Sequence, residues 1–176
     1  MKKYLPYFFL VLGVVLFDQL SKYLTVEFLN LYERIQIIPG LLDFYHTRNT
    51  GVAFSIGAGL PVETRKLLFK ILPIGICFWV LWEIYREAGK NRVLAIAFSL
   101  ILGGAIGNII DRFRLDYVVD FISVYSRGIW VFPSWDFAIF NIADSAVSIG
   151  AFLIAYETII PKLKQRFKSS ENSISG

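Results

Sequence analysis

Two aspartates are the residues of this chain best suited to chemistry. Asp120 lies in the segment Val118-Val119-Asp120-Phe121, and Asp144 lies in Phe140-Asn141-Ile142-Ala143-Asp144-Ser145. Both are at or beside segments apolar enough to enter a bilayer, where a carboxylate is costly and usually serves a function. Two neighbouring carboxyls share a proton, because both cannot easily ionise. One can then activate a water while the other protonates a leaving amine, which would hydrolyse a peptide bond without a metal or a covalent intermediate.

Spacing alone leaves two other classes of protein open. A proton-coupled membrane transporter also buries carboxyl groups, although it would hold them nearer the middle of a span than its edge. A non-catalytic membrane assembly factor would use the same groups in a structural network with amides and arginine. Such a factor would tolerate the replacement of Asp120 and Asp144 by Asn.

Other polar residues lie at the edges of the same apolar segments. Asn108 and Arg112 are spaced i, i+4, so they form a stripe of donors suited to a carboxylate or a peptide carbonyl. Asp111 is one position off that stripe and is expected to face water. Asn141 is placed to cap the helix that contains Asp144.

Three further motifs have structural interpretations. Asp18 and Lys22, also spaced i, i+4, predict either a salt bridge with Lys22 reaching outward or support for a site at that depth. Asn49 and Gly51 first indicate a turn between strands. The repeated glycines Gly103, Gly104 and Gly107 favour close helix packing.

Composition places the chain among membrane proteins. Hydrophobic residues make up 56% of the 176 residues, against about 45–50% in soluble domains, and the mean hydropathy is +0.57. A single cysteine, Cys77, excludes an internal disulfide, and with His46 as the sole histidine a tetrahedral zinc site is not expected. No cofactor is predicted. The net charge of +4 is distributed as expected for membrane topology rather than for a nucleic-acid surface.

The apolar blocks predict a single membrane domain, residues 1–176, with four spanning helices. They cover about 5–26, 67–84, 93–110 and 139–160, each near the ~20 residues that cross a bilayer. The first block is long and contains Asp18 and Lys22, so we interpret it as a retained span. Short basic segments at the N-terminus, at 86–92 and in a frayed tail at 162–176 predict that these parts face the cytoplasm. Residues 27–66 and 111–138 then lie outside.

The first outer segment predicts strands. Residues 34–46 alternate and are broken by Pro39-Gly40, a turn pair, and Val52–Ile56 is a second short apolar run. Together they predict a small antiparallel sheet on the membrane surface.

With these motifs in order, the chain resembles the bacterial signal peptidase II family, the lipoprotein signal peptidases, which are membrane aspartyl proteases. The resemblance covers nearly the whole chain. It rests on Asp18-Gln19-x-x-Lys22, Asn49-Thr50-Gly51-Val52-Ala53-Phe54-Ser55, Gly103-Gly104-Ala105-Ile106-Gly107-Asn108-Ile109-Ile110-Asp111-Arg112, Val118-Val119-Asp120-Phe121 and Phe140-Asn141-Ile142-Ala143-Asp144-Ser145.

The resemblance implies four transmembrane helices, an extracytoplasmic β-cradle and a short surface helix. It also implies a monomer of the bacterial inner membrane, in contact with membrane lipids, that acts near the outer leaflet. Its substrates would be prolipoproteins with a lipobox, cut before the diacylglyceryl cysteine. By position, the catalytic pair would be Asp120 and Asp144. The supporting residues would be Asn49, Gly51, Asn108, Arg112, Asn141, Asp18 and Lys22.

Three features depart from the family pattern. Val52 replaces a common Ala, and Asp116 stands where Gly is expected. The segment Ser123–Ile139, which contains Trp130 and Trp135, is longer than usual. These departures concern the loop over the site rather than the carboxyl pair, and the aromatic residues would rest at the bilayer interface or gate lipid access.

Overall fold

A computed structural model describes residues 2–51, 61–127 and 133–174, and no side chain at 62, 65, 66 or 162–174. After a short 3-10 turn at Lys2–Tyr4, the helices are α1 (Leu5–Phe28), α2 (Val62–Glu87), α3 (Arg92–Leu115) and α4 (Ile142–Ile174). The strands are β1 (Arg34–Ile38), β2 (Leu42–Asn49), β3 (Val118–Ser126) and β4 (Trp135–Asp136). The predicted run at 52–56 and Trp130 lie outside the described residues.

Within the described ranges, four helices are long and apolar enough to cross a membrane. This finding confirms the predicted class of a four-helix membrane protein with a small antiparallel sheet. Helix α3 is the central one, because α1, α2 and α4 all pack against it. In the described parts of residues 27–66 and 111–138, no separate short surface helix is present.

The glycines of α3 allow this central position. A Cβ on Gly103 would lie 2.8 Å from Cβ of Val14 in α1, and a Cβ on Gly104 would collide with the carbonyl oxygen of Ala143 in α4. The backbones of α1 and α4 therefore approach α3 more closely than any side chain would permit. The prediction that these glycines serve packing is confirmed.

The sheet joins both outer segments in the order β1-β2-β3-β4, with every pair antiparallel. The hairpin between β1 and β2 turns at Pro39-Gly40 as predicted, and Gly40 has a φ of +77°. Strand β3 was not predicted. Seven of its nine residues are buried, so it lacks the polar–apolar alternation that marks a half-exposed strand.

Three helix ends differ from the prediction by five residues or more. Helix α2 begins at Val62, five residues before the apolar block, and α3 ends at Leu115, five residues after its block. The prediction of a frayed tail from residue 162 is wrong up to Ile174, because α4 continues through Pro161 to that residue. The Lys, Arg and Gln residues of this tail have favourable helix propensities, so the helix outlasts its apolar part.

The conformation of Asp116 explains how Asp can stand where the family pattern has Gly. It caps the C-terminus of α3 in the left-handed conformation, with φ +66° and ψ +4°, which is the position where helices most often carry Gly. Asp tolerates this conformation better than most residues. Its carboxylate also pairs with Lys70 Nζ at 2.6 Å, so the reversal into β3 is retained without glycine.

Candidate active site

Asp120 lies in the middle of the sheet, on β3 opposite Thr47 of β2. Its carboxyl group is 2% exposed and accepts hydrogen bonds from Asn49 Nδ2 at 2.9 Å and from Asn141 Nδ2 at 2.7 Å. Burial raises the pKa of Asp120 to about 6, an effect that the Asn49 hydrogen bond opposes and the negative charge of Asp144 reinforces. A carboxyl group with that pKa can exchange a proton near neutral pH.

Asp144 lies in the first turn of α4, where Asn141 caps the helix as predicted. Asn141 Oδ1 accepts the Asp144 N–H at 2.9 Å, and Asp144 Oδ2 accepts the Asn141 N–H at 3.2 Å. This reciprocal arrangement is a capping box. Asp144 Oδ1 also accepts a hydrogen bond from Asn108 Nδ2 at 2.8 Å. Both carboxylate oxygens of Asp144 therefore accept hydrogen bonds at the N-terminus of α4.

Asn141 connects the two carboxyl groups. Its side chain is fully buried, donates to Asp120 Oδ1, and uses its own oxygen for the Asp144 N–H. Its amide nitrogen also lies 3.2 Å from Asn108 Oδ1. Because one rigid residue binds both partners, the positions of Asp120 and Asp144 are fixed relative to each other.

Both carboxyl groups line one cavity of about 1000 Å³. Its polar side also includes Arg48 and Asn49 from β2 and Ser148 from α4. Its apolar side consists of Phe137, Ala138, Ile139, Phe140 and Ile149. The cavity therefore has a mostly apolar lining with a smaller polar side that contains the carboxyl groups, and it lies at the junction of the sheet and the N-terminus of α4.

Lys22 lies behind this cavity and is buried rather than extended toward water. Its Nζ is 2.9 Å from Asp18 Oδ2, 3.0 Å from Asp111 Oδ2 and 2.9 Å from Asn108 Oδ1. The interpretation of Asp18 and Lys22 as a pair that reaches outward is therefore wrong. Instead, the pair supports Asn108, which in turn holds Asp144.

The expectation that Asp111 faces water is also wrong. Asp111 is 3% exposed, because β3 folds back over the end of α3 and the Val119 N–H donates to Asp111 Oδ2 at 3.0 Å. The helical periodicity of α3 alone could not reveal this cover, because it comes from the next element of the chain.

Gln19 is a member of the network that sequence reasoning did not select. Its Nε2 lies within hydrogen-bonding distance of Asp18 Oδ2, Asp111 Oδ1 and the Gly107 carbonyl oxygen. Its place between Asp18 and Lys22 in an apolar helix was the signal that could have found it. Asp18 meanwhile accepts the Ala143 N–H of α4 at 2.9 Å. A side chain of α1 therefore provides a hydrogen-bond acceptor for a free N–H group in the first turn of α4.

The remaining predicted residues, Gly51 and Arg112, lie around the same carboxyl groups. The Gly51 N–H donates to Asn49 Oδ1 at 2.9 Å in a turn with φ +79° at Gly51, and this bond directs the Asn49 amide nitrogen toward Asp120. Arg112 is half-buried and interacts electrostatically with Asp144, Asp120 and Asp111. It lines a small cleft with Asn49 and Asp116.

Among the described residues, no group of three or more His, Cys, Asp or Glu side chains is arranged to hold a metal ion. His46 is buried, with Nδ1 3.0 Å from the Leu29 carbonyl oxygen, and belongs to the sheet rather than to the cavity. Cys77 is a free thiol in α2. The chemically useful groups of the site are thus two carboxyls, their amide donors and Arg112.

These features define a small polytopic membrane protein with a two-carboxyl site where a sheet meets the ends of its helices. The family model of signal peptidase (SPase) II matches residues 10–160. The chain therefore belongs to the signal peptidase II family and is a membrane-embedded protease.

Individual relatives agree with this assignment. The lipoprotein signal peptidase of Shouchella clausii is 41% identical, over 87% of this chain and 92% of the relative. That of Coxiella burnetii strain Dugway 5J108-111 is 38% identical, over 93% and 96%. A bacterial membrane enzyme solved by the in meso method at 1.9 Å resolution is 31% identical with a TM-score of 0.72, covering 88% of this chain and 93% of that one.

Proposed function

We propose that this chain is an aspartyl endopeptidase that removes the signal peptide from diacylglyceryl-modified prolipoproteins, cutting before the lipidated cysteine of the lipobox. Family membership supports the substrate class. The observation that carries the catalytic assignment is the side chain of Asn141, which donates to Asp120 and caps the helix turn of Asp144. Two carboxyl groups held by one residue beside one cavity are the arrangement that a water-activating pair requires.

Asp144 is the general base in this proposal. It accepts hydrogen bonds from Asn108 and from the Asn141 N–H, and these bonds hold the carboxylate at the N-terminus of α4. It is also half-exposed to the cavity, where a water can reach it. Asp144 takes a proton from that water as the oxygen attacks the scissile carbonyl carbon.

Asp120 is the general acid. Burial favours its neutral form, so it donates its proton to the carbonyl oxygen while the tetrahedral intermediate forms. Collapse of the intermediate breaks the C–N bond, the proton held by Asp144 passes to the leaving amine, and one hydroxyl proton of the intermediate returns to Asp120. One water is consumed, and the products are a carboxylic acid on the signal peptide, which releases its proton to solvent, and a free amine on the lipidated cysteine.

The apolar wall of the cavity supports the proposal that the substrate is lipidated. Phe137 and Ile149 are 60% and 54% exposed, and they flank the same cavity that contains the carboxyl groups. An acyl chain that enters sideways from the bilayer meets this apolar wall. The peptide bond next to the modified cysteine is then close to Asp120 and Asp144.

We also propose that both termini face the cytoplasm and that the carboxyl pair lies near the outer leaflet of the bacterial inner membrane. Basic residues at the N-terminus, at the turn between α2 and α3 and after α4 support this orientation. The protein would act as a monomer in contact with membrane lipids. Accessibility of engineered cysteines at Lys3 and at Arg127 to an impermeant reagent tests the orientation, because only the second should react in intact spheroplasts.

Cleavage assays with matched variants test the catalytic roles. Purified wild type, Asp120→Asn and Asp144→Asn are incubated with a diacylglyceryl prolipoprotein and with its unmodified precursor. Asp136→Asn is the control, since that carboxyl group is exposed on the same sheet. We expect cleavage of the lipidated substrate by wild type and control alone. Cleavage at the wild-type rate by either dyad variant refutes the dyad, and equal cleavage of both precursors refutes the substrate.

A further inference from the structure

A second cavity, of about 380 Å³, opens at the opposite end of the helices from the carboxyl pair. It lies in the groove between the start of α1 and the end of α2, with α3 as its floor. Its volume falls within the range of about 300–1,000 Å³ that small-ligand pockets occupy. The residues that define this groove are Tyr4, Tyr7, Val11, Leu81, Tyr85 and Leu102.

The groove is apolar along its length and aromatic at its mouth. From Tyr4 to Val11 it runs about 10 Å along α1, at a rise of ~1.5 Å per residue. At the mouth, the rings of Tyr4 and Tyr85 stack at 5.8 Å and join the two helices. Tyrosines at such a level are typical of the boundary between hydrocarbon and head groups. The shape fits an extended hydrocarbon chain that enters from the bilayer.

Basic residues are concentrated in the two chain segments that meet at the mouth of the groove. Lys3 crosses from the N-terminus toward the turn between α2 and α3, where its Cδ would lie 3.7 Å from a Cβ on Gly89, and its Nζ is 4.8 Å from the Tyr4 ring centre. Residues 2–4 and 83–92 hold five basic side chains, Lys2, Lys3, Arg86, Lys90 and Arg92, against two acids, Glu83 and Glu87. The acid Glu83 pairs with Arg86 at 2.9 Å. The excess positive charge is therefore next to the apolar groove.

We propose that this groove binds an anionic phospholipid, with one acyl chain between α1 and α2 and its phosphate at Lys3 and the turn between α2 and α3. The apolar walls account for the chain, and the excess of cations selects a head group with net negative charge over a zwitterionic one. The site is separate from the carboxyl pair, so it holds a structural lipid rather than the substrate.

Native mass spectrometry of the full chain, released from detergent, tests this site. The protein is titrated with dioleoyl phosphatidylglycerol and, separately, with dioleoyl phosphatidylcholine. We expect one phosphatidylglycerol to bind at least fivefold more tightly than phosphatidylcholine. Lys3→Gln should weaken the anionic lipid about fivefold, as expected for one basic residue at a membrane surface. Arg114→Gln, which removes an exposed charge from the other end of α3, is the charge control and should have no effect.

Leu81→Trp tests the position of the acyl chain by filling the groove. Leu81 is 54% exposed, so the fold should accept the larger ring, and an unchanged Tm would show that it does. We expect the single tight site to be lost. Phe78→Trp, at a lipid-facing position of α2 that does not line the groove, is the matched control and should retain it. Equal affinity for both lipids, or a tight site that survives Leu81→Trp, would overturn the proposal, as would a second copy of the chain bound in the groove.

Discussion

Replacement of Asp120 by Asn should make folding less sensitive to pH. In the folded chain the pKa of Asp120 is raised from its ordinary 3.8 to about 6, so folding favours the neutral carboxyl group. Below pH 3.8 the carboxyl group is protonated in both the folded and the unfolded chain, so it does not lower the free energy of unfolding. Between about 3.8 and 6 the unfolded chain loses the proton first, so stability falls as the pH rises, and above 6 the full cost is present. One pKa unit corresponds to about 1.4 kcal/mol, which makes that cost about 3 kcal/mol.

The substitution also has a pH-independent cost. Asn49 and Asn141 both direct an amide nitrogen at Asp120, and neither can turn, because their oxygens already accept the N–H groups of Gly51 and Asp144. An Asn at position 120 can accept from only one of them. The unsatisfied donor should cost about 1–3 kcal/mol at every pH. The informative quantity is therefore how the stability difference between variant and wild type changes with pH.

Thermal unfolding in detergent micelles measures this difference, with the fluorescence of the tryptophans as the probe. From pH 4 to pH 8 the Tm of Asp120→Asn relative to wild type should rise by about 6–12 °C, since 1 kcal/mol moves the Tm of a chain this size by about 2–4 °C. Because the charge of Asp144 helps to raise the Asp120 pKa, the upper limit of this change, near pH 6, belongs to the pair.

Asp136→Asn provides a control without this trend. Its hydrogen bond with Arg127 lowers the pKa of Asp136 from its ordinary 3.8, so the pH-dependent part of its effect lies below about pH 4, and the Tm of this variant relative to wild type should stay nearly constant from pH 4 to pH 8. The group is exposed, and added salt should reduce the effect. A Tm difference for Asp120→Asn that stays constant from pH 4 to pH 8 would refute the inference that burial sets the Asp120 pKa.

Three further predictions concern the site and its support. The alkaline limb of kcat/KM should have its midpoint near pH 6, because the proton of Asp120 is lost there; a flat profile between pH 5 and 8 contradicts its role as the acid. Gly104→Ala should lower activity about 100-fold, since its methyl group collides with the carbonyl oxygen of Ala143 and would displace the helix that carries Asp144. Gly75→Ala, whose methyl group meets nothing within 4 Å, should leave activity unchanged in the same assay. Lys22→Met should destabilise the fold by about 3–5 kcal/mol, measured by the unfolding temperature, because two buried carboxylates lose their cation.

The four helices could be predicted from the sequence because each depends on a local property, the length of an apolar run. The cap at Asn141 and the turn at Gly51 were also local, since each involves residues two or three positions apart. Strand β3 could not be found in this way. Its buried residues carry no alternation, and its place beside β2 depends on partners 69 to 82 residues away in the chain.

The environment of Asp111 shows the same limit. Its position on α3 predicted a water-facing carboxylate, yet the Val119 N–H and Lys22 Nζ cover it from two other elements. A helical periodicity describes where a side chain projects but not what folds over it. Polar residues in apolar helices were still a sound guide, because Asp18, Lys22 and Asn108 all entered one buried network.

That network determines how the amide groups at the site are oriented. Lys22 has only donors, so Asn108 must turn its oxygen toward it. The amide nitrogen of Asn108 then points at Asp144 Oδ1, and its oxygen accepts from Asn141 as well. Asn141 is oriented independently by the Asp144 N–H, which leaves its nitrogen for Asp120. A single buried lysine, which contacts neither carboxyl group of the pair directly, thus ensures that donors face Asp144.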